Sequence, residues 1–98
     1  MPGYEIILKP AAIRDLDSLR RYDATAITDG IERFLTSEPK RQSKSRIKRL
    51  RGVRDPDYRL RIGDFRIFYT VNEQEEQVIV LRVMHKRQTE DYYKELEP

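Results

Sequence analysis

Cysteine is absent from the 98-residue chain and histidine occurs once. The first absence excludes a disulfide framework, a thiolate nucleophile and a zinc–thiolate centre, and it fits a reducing compartment. Long hydrophobic runs are also missing. Tyr4-Glu5-Ile6-Ile7-Leu8, directly after Met1-Pro2-Gly3, is far too short for a signal segment or a membrane span, so the cytoplasm is the expected location. The chain has no glycine-rich phosphate loop, no metal-ligand spacing and no carboxylate pair on one helix face. Nucleotide hydrolysis and metal catalysis therefore lack support, and no cofactor is expected. Charge of one sign does not dominate: 20 Lys and Arg against 17 Asp and Glu leave a net charge of +3, so the distribution of charge says more than its sum. With 38% hydrophobic residues and no internal repeat, residues 1–98 read as one domain with a thin core.

What the chain does have is concentrated between Tyr58 and Val71, YRLRIGDFRIFYTV. Tyr58, Leu60 and Ile62 alternate with Arg59 and Arg61. After Gly63-Asp64, the residues Phe65, Ile67, Tyr69 and Val71 alternate with Arg66, Phe68 and Thr70. This period of two predicts a β-hairpin with one apolar face. Glycine first in a two-residue loop suits a type II′ turn, which sets Ile62 opposite Phe65, Arg61 opposite Arg66, Leu60 opposite Ile67 and Arg59 opposite Phe68. Two arginines then face each other where an opposite-charge pair would gain about 0.2–1 kcal/mol, so folding alone gives no reason for the arrangement. Either the arginines splay into water or they await an anion.

Around the hairpin, Tyr4 to Lys9 reads as a strand closed by Pro10. Ala12, Ile13, Leu16 and Leu19 predict a helix from Ala11 to Tyr22. Asp23 is the expected N-cap of a second helix, whose core stripe is Ile27, Ile31, Phe34 and Leu35 and which ends before Pro39. From Pro39 to Pro56 the composition turns basic, with Lys40, Arg41, Lys44, Arg46, Lys48, Arg49, Arg51 and Arg54 around Ile47, Leu50 and Val53. It reads as a basic arm or loop: either a solvated linker or a polyanion contact with salt-dependent affinity. Lys44, Arg46, Lys48, Arg49, Arg51 and Arg54, with Arg82 further along the chain, are the candidate RNA-binding residues. After the hairpin, Asn72 to Glu76 forms a polar connection to a strand from Val78 to Met84. A five-residue loop would turn Ile79, Leu81 and Val83 to the core beside Tyr69, Ile67 and Phe65, with Arg82 joining Arg66. One residue fewer would reverse the strand. His85-Lys86-Arg87 and a short helix with Tyr92 and Tyr93 close the chain. The fold class is α+β: an N-terminal strand, an antiparallel helical hairpin, an antiparallel sheet of three further strands and a short C-terminal helix.

The convergent groups are cationic and aromatic: Arg59, Arg61, Arg66 and Arg82 on a sheet face, then His85, Lys86, Arg87, Tyr92 and Tyr93. This inventory suits RNA cleavage by attack of a ribose 2′-hydroxyl on the adjacent phosphodiester. Arginine holds the phosphate bidentately, but its pKa is too high for it to act as a base. Proton transfer falls to His85 or to a tyrosine.

The Lys48-Arg49-Leu50-Arg51-Gly52 element, the hairpin from Tyr58 to Tyr69 and the closing strand followed by His85-Lys86-Arg87 resemble the RelE/ParE superfamily of bacterial and archaeal toxin–antitoxin systems. The resemblance covers nearly the whole chain. It implies a RelE-like fold, neutralisation by a cognate antitoxin and, in the RelE branch, cleavage of messenger RNA in the ribosomal A site, which inhibits translation. RelE-type enzymes place basic residues where Arg59, Arg61 and Arg66 stand, and complete the site with a basic residue after the last strand and a tyrosine. Strand register matches these to Lys86 and Tyr92, whereas matching arginine to arginine selects Arg87 and Tyr93. Some RelE-type enzymes carry lysines in the hairpin, one of them as base, so the arginines here shift weight to His85. The ParE branch shares the fold but poisons DNA gyrase, and this is the alternative reading. The sheet arginines with the terminal His, Lys, Arg and Tyr lean toward RelE.

Overall fold

A computed structural model describes residues 3–53 and 55–96. Strand β1 (Glu5–Leu8) leads into helix α1 (Pro10–Asp17), with proline in the first turn, where its missing N–H costs nothing. Ser18 ends the helix by taking its last carbonyls: its N–H donates to Arg14 O at 3.1 Å and its hydroxyl to Asp15 O at 2.7 Å. Helix α2 (Arg21–Leu35) therefore begins three residues earlier than an N-cap at Asp23 would place it, with Arg20 in the N-cap position. Asp23 is not the N-cap but lies in the first turn, 3.5 Å from Arg20.

The sheet has five strands, in the order β1-β5-β4-β3-β2. Beyond β1 these are β2 (Ile47–Arg49), β3 (Tyr58–Ile62), β4 (Phe65–Asn72) and β5 (Gln77–His85). The expected arm is thus corrected in part. Residues Ile47 to Arg49 pair antiparallel with β3, Ile47 opposite Leu60 and Lys48 opposite Arg59, because a buried Ile47 docks on the same apolar row. The sheet is mixed, since β1 runs parallel to β5.

The hairpin register is the expected one, from Ile62–Phe65 to Arg59–Phe68, and Arg61 does face Arg66. Gly63 has φ +56°, the left-handed value that the first position of a II′ turn requires.

The register of β5 needs correction. Its connection from β4 is four residues, 73–76, so Val78 and Val80 enter the core where Ile79 and Leu81 were expected. A β-bulge then intervenes: Phe68 faces Arg82 while Tyr69 faces Val80, leaving Leu81 as the extra residue. Beyond the bulge Val83 points inward, as expected.

The α1–α2 hairpin covers one sheet face. Ala12, Leu16, Ile27, Ile31 and Leu35 pack there on Tyr58, Leu60, Ile67, Tyr69, Val78, Val80 and Val83. Gly30 permits the closest approach, for a Cβ there would sit 2.2 Å from Ile62 Cδ1. Tyr69 is fully buried and its hydroxyl donates to the Pro39 carbonyl at 2.5 Å, satisfying a group that burial would otherwise penalise. A 3-10 turn (Lys86–Gln88) and helix α3 (Thr89–Leu96) lie against the opposite face, where Phe68, Met84 and Tyr92 form a small second core with Leu50, Tyr93 and Leu96.

Candidate functional site

Alternation along β3 and β4 sends Arg59, Arg61 and Arg66 to the face opposite the helical hairpin, and Lys48 joins them across from Arg59. Among the described residues no carboxylate lies within 4 Å of Arg59, Arg61 or Arg66. Arg66 is half-buried and donates to the Gly63 and Phe65 carbonyls at 3.1 and 3.0 Å. Burial, then the charges of Arg59 and Arg61, pull its pKa below the usual arginine value, while Tyr93 and Asp64 oppose the shift. Arg59 Nε is buried without a hydrogen-bond partner. A buried donor of this kind costs about 1–3 kcal/mol, and like the mutual repulsion it opposes folding, a cost that a bound anion would offset.

Helix α3 closes one side of this surface. Phe68, opposite Arg59, is the platform: Tyr92 tilts onto its ring at 4.7 Å and Tyr93 meets it edge-on at 5.8 Å. Tyr92 is buried, and burial raises its phenol above the ordinary tyrosine value. Tyr93 is only half-buried and lies within electrostatic reach of Arg66. Of the two tyrosines packed on Phe68, Tyr93 is the one left partly open on the arginine face.

The other expected site residues scatter. His85 lies opposite Phe65, whose ring it meets edge-on at 5.5 Å, on the sheet face that carries the helical hairpin. Its Nδ1 accepts the Arg87 N–H at 3.1 Å and its own N–H donates to Gln88 Oε1 at 3.0 Å, so it caps the 3-10 turn. This corrects the expectation that it stands among the arginines: strand alternation puts it on the other side. Lys86 is tied to the hairpin tip, its N–H on Asp64 O at 2.7 Å and its Nζ 3.4 Å from the Asp64 carboxylate. Arg87 borders a cleft of about 400 Å³ shared with His85, Asp15 and Asp23. Among the described residues, no hydrogen bond or cation–π contact joins either expected pair, Lys86 with Tyr92 or Arg87 with Tyr93.

The basic segment divides around the β2 edge. Lys48 faces the arginines, but Arg46 stacks 4.6 Å from the Phe34 ring and donates to Arg61 O at 3.2 Å. Arg49 lies 5.4 Å from the Tyr58 ring and donates to its hydroxyl at 3.2 Å. Lys44 and Arg51 are exposed, and Arg54 lies outside the described residues. Arg82, expected to join Arg66, is instead paired with Asp15 at 2.7 Å, a partner that sequence reasoning missed. The available signal was spacing: Ala12, Asp15, Leu16 and Leu19 share one side of a helix, which places an acid in an apolar stripe. Among the described residues, no three of His, Cys, Asp and Glu cluster to hold a metal, and no helix is long and apolar enough to cross a membrane.

Residues 6–90 match the family described as the ParE toxin of the type II toxin-antitoxin system, parDE. The chain belongs to the RelE/ParE superfamily of type II toxins. Within the superfamily, the RelBE2 toxin–antitoxin complex of Mycobacterium tuberculosis has a chain 29% identical, with a TM-score of 0.72 over 87% of this toxin and 99% of that chain. A chain of the RelE–RelB complex from Pyrococcus horikoshii is 26% identical, with a TM-score of 0.68 over 85% and 94%. The fold is also that of an E. coli RelE mutant in the free state, with a TM-score of 0.70 at 22% identity over 96% and 94%. These neighbours share the RelE-like fold with this toxin. No curated protein is significantly similar to it in sequence.

Proposed function

We propose that this toxin is a ribosome-dependent endoribonuclease that cuts messenger RNA and is neutralised by a cognate antitoxin. The single observation that carries the reading is the convergence of Arg59, Arg61 and Arg66 on one face with no ion-pair partner among the described residues, on the face where Tyr93 packs half-buried against Phe68. The arginines hold the phosphodiester and stabilise the charge that gathers on it as the 2′-oxygen attacks phosphorus. The 5′-oxygen leaves, giving a 2′,3′-cyclic phosphate. Of the groups on the arginine face, Tyr93 and Lys48 are the ones able to exchange a proton with these oxygens. Lys48, Lys44 and Arg51, with the stacked Arg46 and Arg49, extend the cationic surface around the β2 edge toward ribosomal RNA. The neighbouring RelE chains occur in complexes with RelB, and an antitoxin segment of acidic or amphipathic character suits the unpaired arginines here.

The test is primer extension on messages in translating ribosomes. Wild type cuts in the A site, and Tyr93→Phe lowers the cleavage rate about 10²-fold or more while its melting curve stays in place. The ParE description of the matching family favours the second reading, a DNA gyrase poison. Growth arrest with intact message and accumulated gyrase–DNA covalent complexes selects that reading and rejects the first.

A further inference from the structure

Arg82 faces Phe68 in the β4–β5 register, yet its guanidinium leaves the arginine cluster for the free edge of β5. Strand β1 pairs with β5 only as far as Val80, and α1 packs against the strand beyond. There Asp15 accepts from Arg82 Nε at 2.7 Å, from Arg82 Nη2 at 3.0 Å and from the Val83 N–H at 2.8 Å. The bond from Val83 satisfies an edge amide that β1 does not reach. With side chains 17% and 36% exposed, the pair is partly desolvated, a setting in which several good hydrogen bonds are needed to offset the loss of water.

The same guanidinium has a second neighbour. Its Cζ lies 5.7 Å from the centroid of the Tyr92 ring, within the range of a cation–π contact. Glu95 of α3 adds its charge to that of Asp15 in holding Arg82 protonated. Tyr92 rests on Phe68, and Tyr93 abuts the same ring. Helix α3 has eight residues, short of the ~12–15 at which an isolated helix becomes even marginal in water, so its placement depends on such contacts.

We propose that Asp15 and Arg82 are positioning residues: Asp15 fixes the plane of Arg82, Arg82 fixes Tyr92, and Tyr92 sets the angle at which α3 presents Tyr93 to the arginine face. The functional half of this proposal rests on the endoribonuclease reading, whereas the coupling of α1 to α3 does not. A planar, bidentate guanidinium is required, because lysine offers a charge without the fork or the stacking face. This separates positioning from direct phosphate binding by Arg82, for which charge suffices.

The experiment compares full-length Asp15→Asn and Arg82→Lys with wild type by amide hydrogen exchange and by ribosomal mRNA cleavage. In both variants the amides from Tyr92 to Leu96 exchange about tenfold faster while those of β3 and β4 keep their protection. The kcat falls roughly tenfold to a hundredfold with KM unchanged, because the phosphate-holding arginines stay in place. Unchanged α3 exchange in both variants overturns the proposal, as does faster exchange throughout the sheet. A raised KM at wild-type kcat also overturns it and assigns Arg82 to RNA. If wild-type protein cuts no message, the role given to Tyr93 falls with the endoribonuclease reading, and the exchange data still decide the coupling.

Discussion

The two faces of the sheet carry alternate residues of the same strands and obey opposite rules. On the helix side, Leu60, Ile67, Tyr69, Val78 and Val80 are fully buried among aliphatic neighbours, and every side chain there lowers the free energy of folding. On the other side, a core of three buried residues, Phe68, Met84 and Tyr92, adjoins Arg59, Arg61 and Arg66, which repel one another and include a buried donor with no partner. One face of the hairpin holds the fold together. The other keeps cations close that folding alone would separate.

The largest effect belongs to the helix side. Leu60→Ala removes a fully buried side chain from the centre of the apolar row and lowers stability by about 2–5 kcal/mol, measured by chemical denaturation. A loss under 1 kcal/mol breaks the comparison by showing that this face does not carry the fold.

On the arginine face the prediction reverses. Arg66→Ala leaves stability within about 0.5 kcal/mol of wild type, on the higher side, because it relieves repulsion by Arg59 and Arg61 and leaves no charged partner behind. The same variant abolishes ribosomal cleavage. A marked fall in its melting temperature makes Arg66 a structural residue and erases the contrast between faces.

The smallest effect concerns the exposed cluster where Glu73 accepts the Tyr4 hydroxyl at 2.6 Å and pairs with Lys40 Nζ at 2.9 Å. The hydrogen bond from Tyr4, then that from Lys40, lowers the Glu73 pKa. Its stabilisation is therefore present above the unfolded carboxylate pKa and is lost as pH falls through the folded one. Glu73→Gln melts slightly below wild type at neutral pH, and the difference closes on acidification. A gap that persists in acid points to packing instead of charge.

Much of this was legible in the chain. Alternation in YRLRIGDFRIFYTV and the glycine at its turn determined the hairpin, its register and the gathering of Arg59, Arg61 and Arg66, because side chains in a strand must alternate and a II′ turn leaves one pairing. The helical stripe through Ile27, Ile31 and Leu35 specified the covering layer for the same local reason. The family, too, was readable from these residues and is borne out.

What remained was decided by tertiary structure. Only packing against β3 turned Ile47 to Arg49 from an arm into a strand, and only the bulge at Leu81 reset a strand whose first half runs in the opposite phase to the expected one. Position along the chain placed His85 near the arginines, but the pleat put it on the other face. Asp15, 67 residues from Arg82 in sequence, withdrew that arginine from the cluster, and packing on Phe68 buried Tyr92 while leaving Tyr93 half-buried. Local periodicity dictates which way a side chain points relative to its neighbours. Which partner it meets depends on contacts between distant segments, and those exist only once the sheet and its two covering layers have assembled.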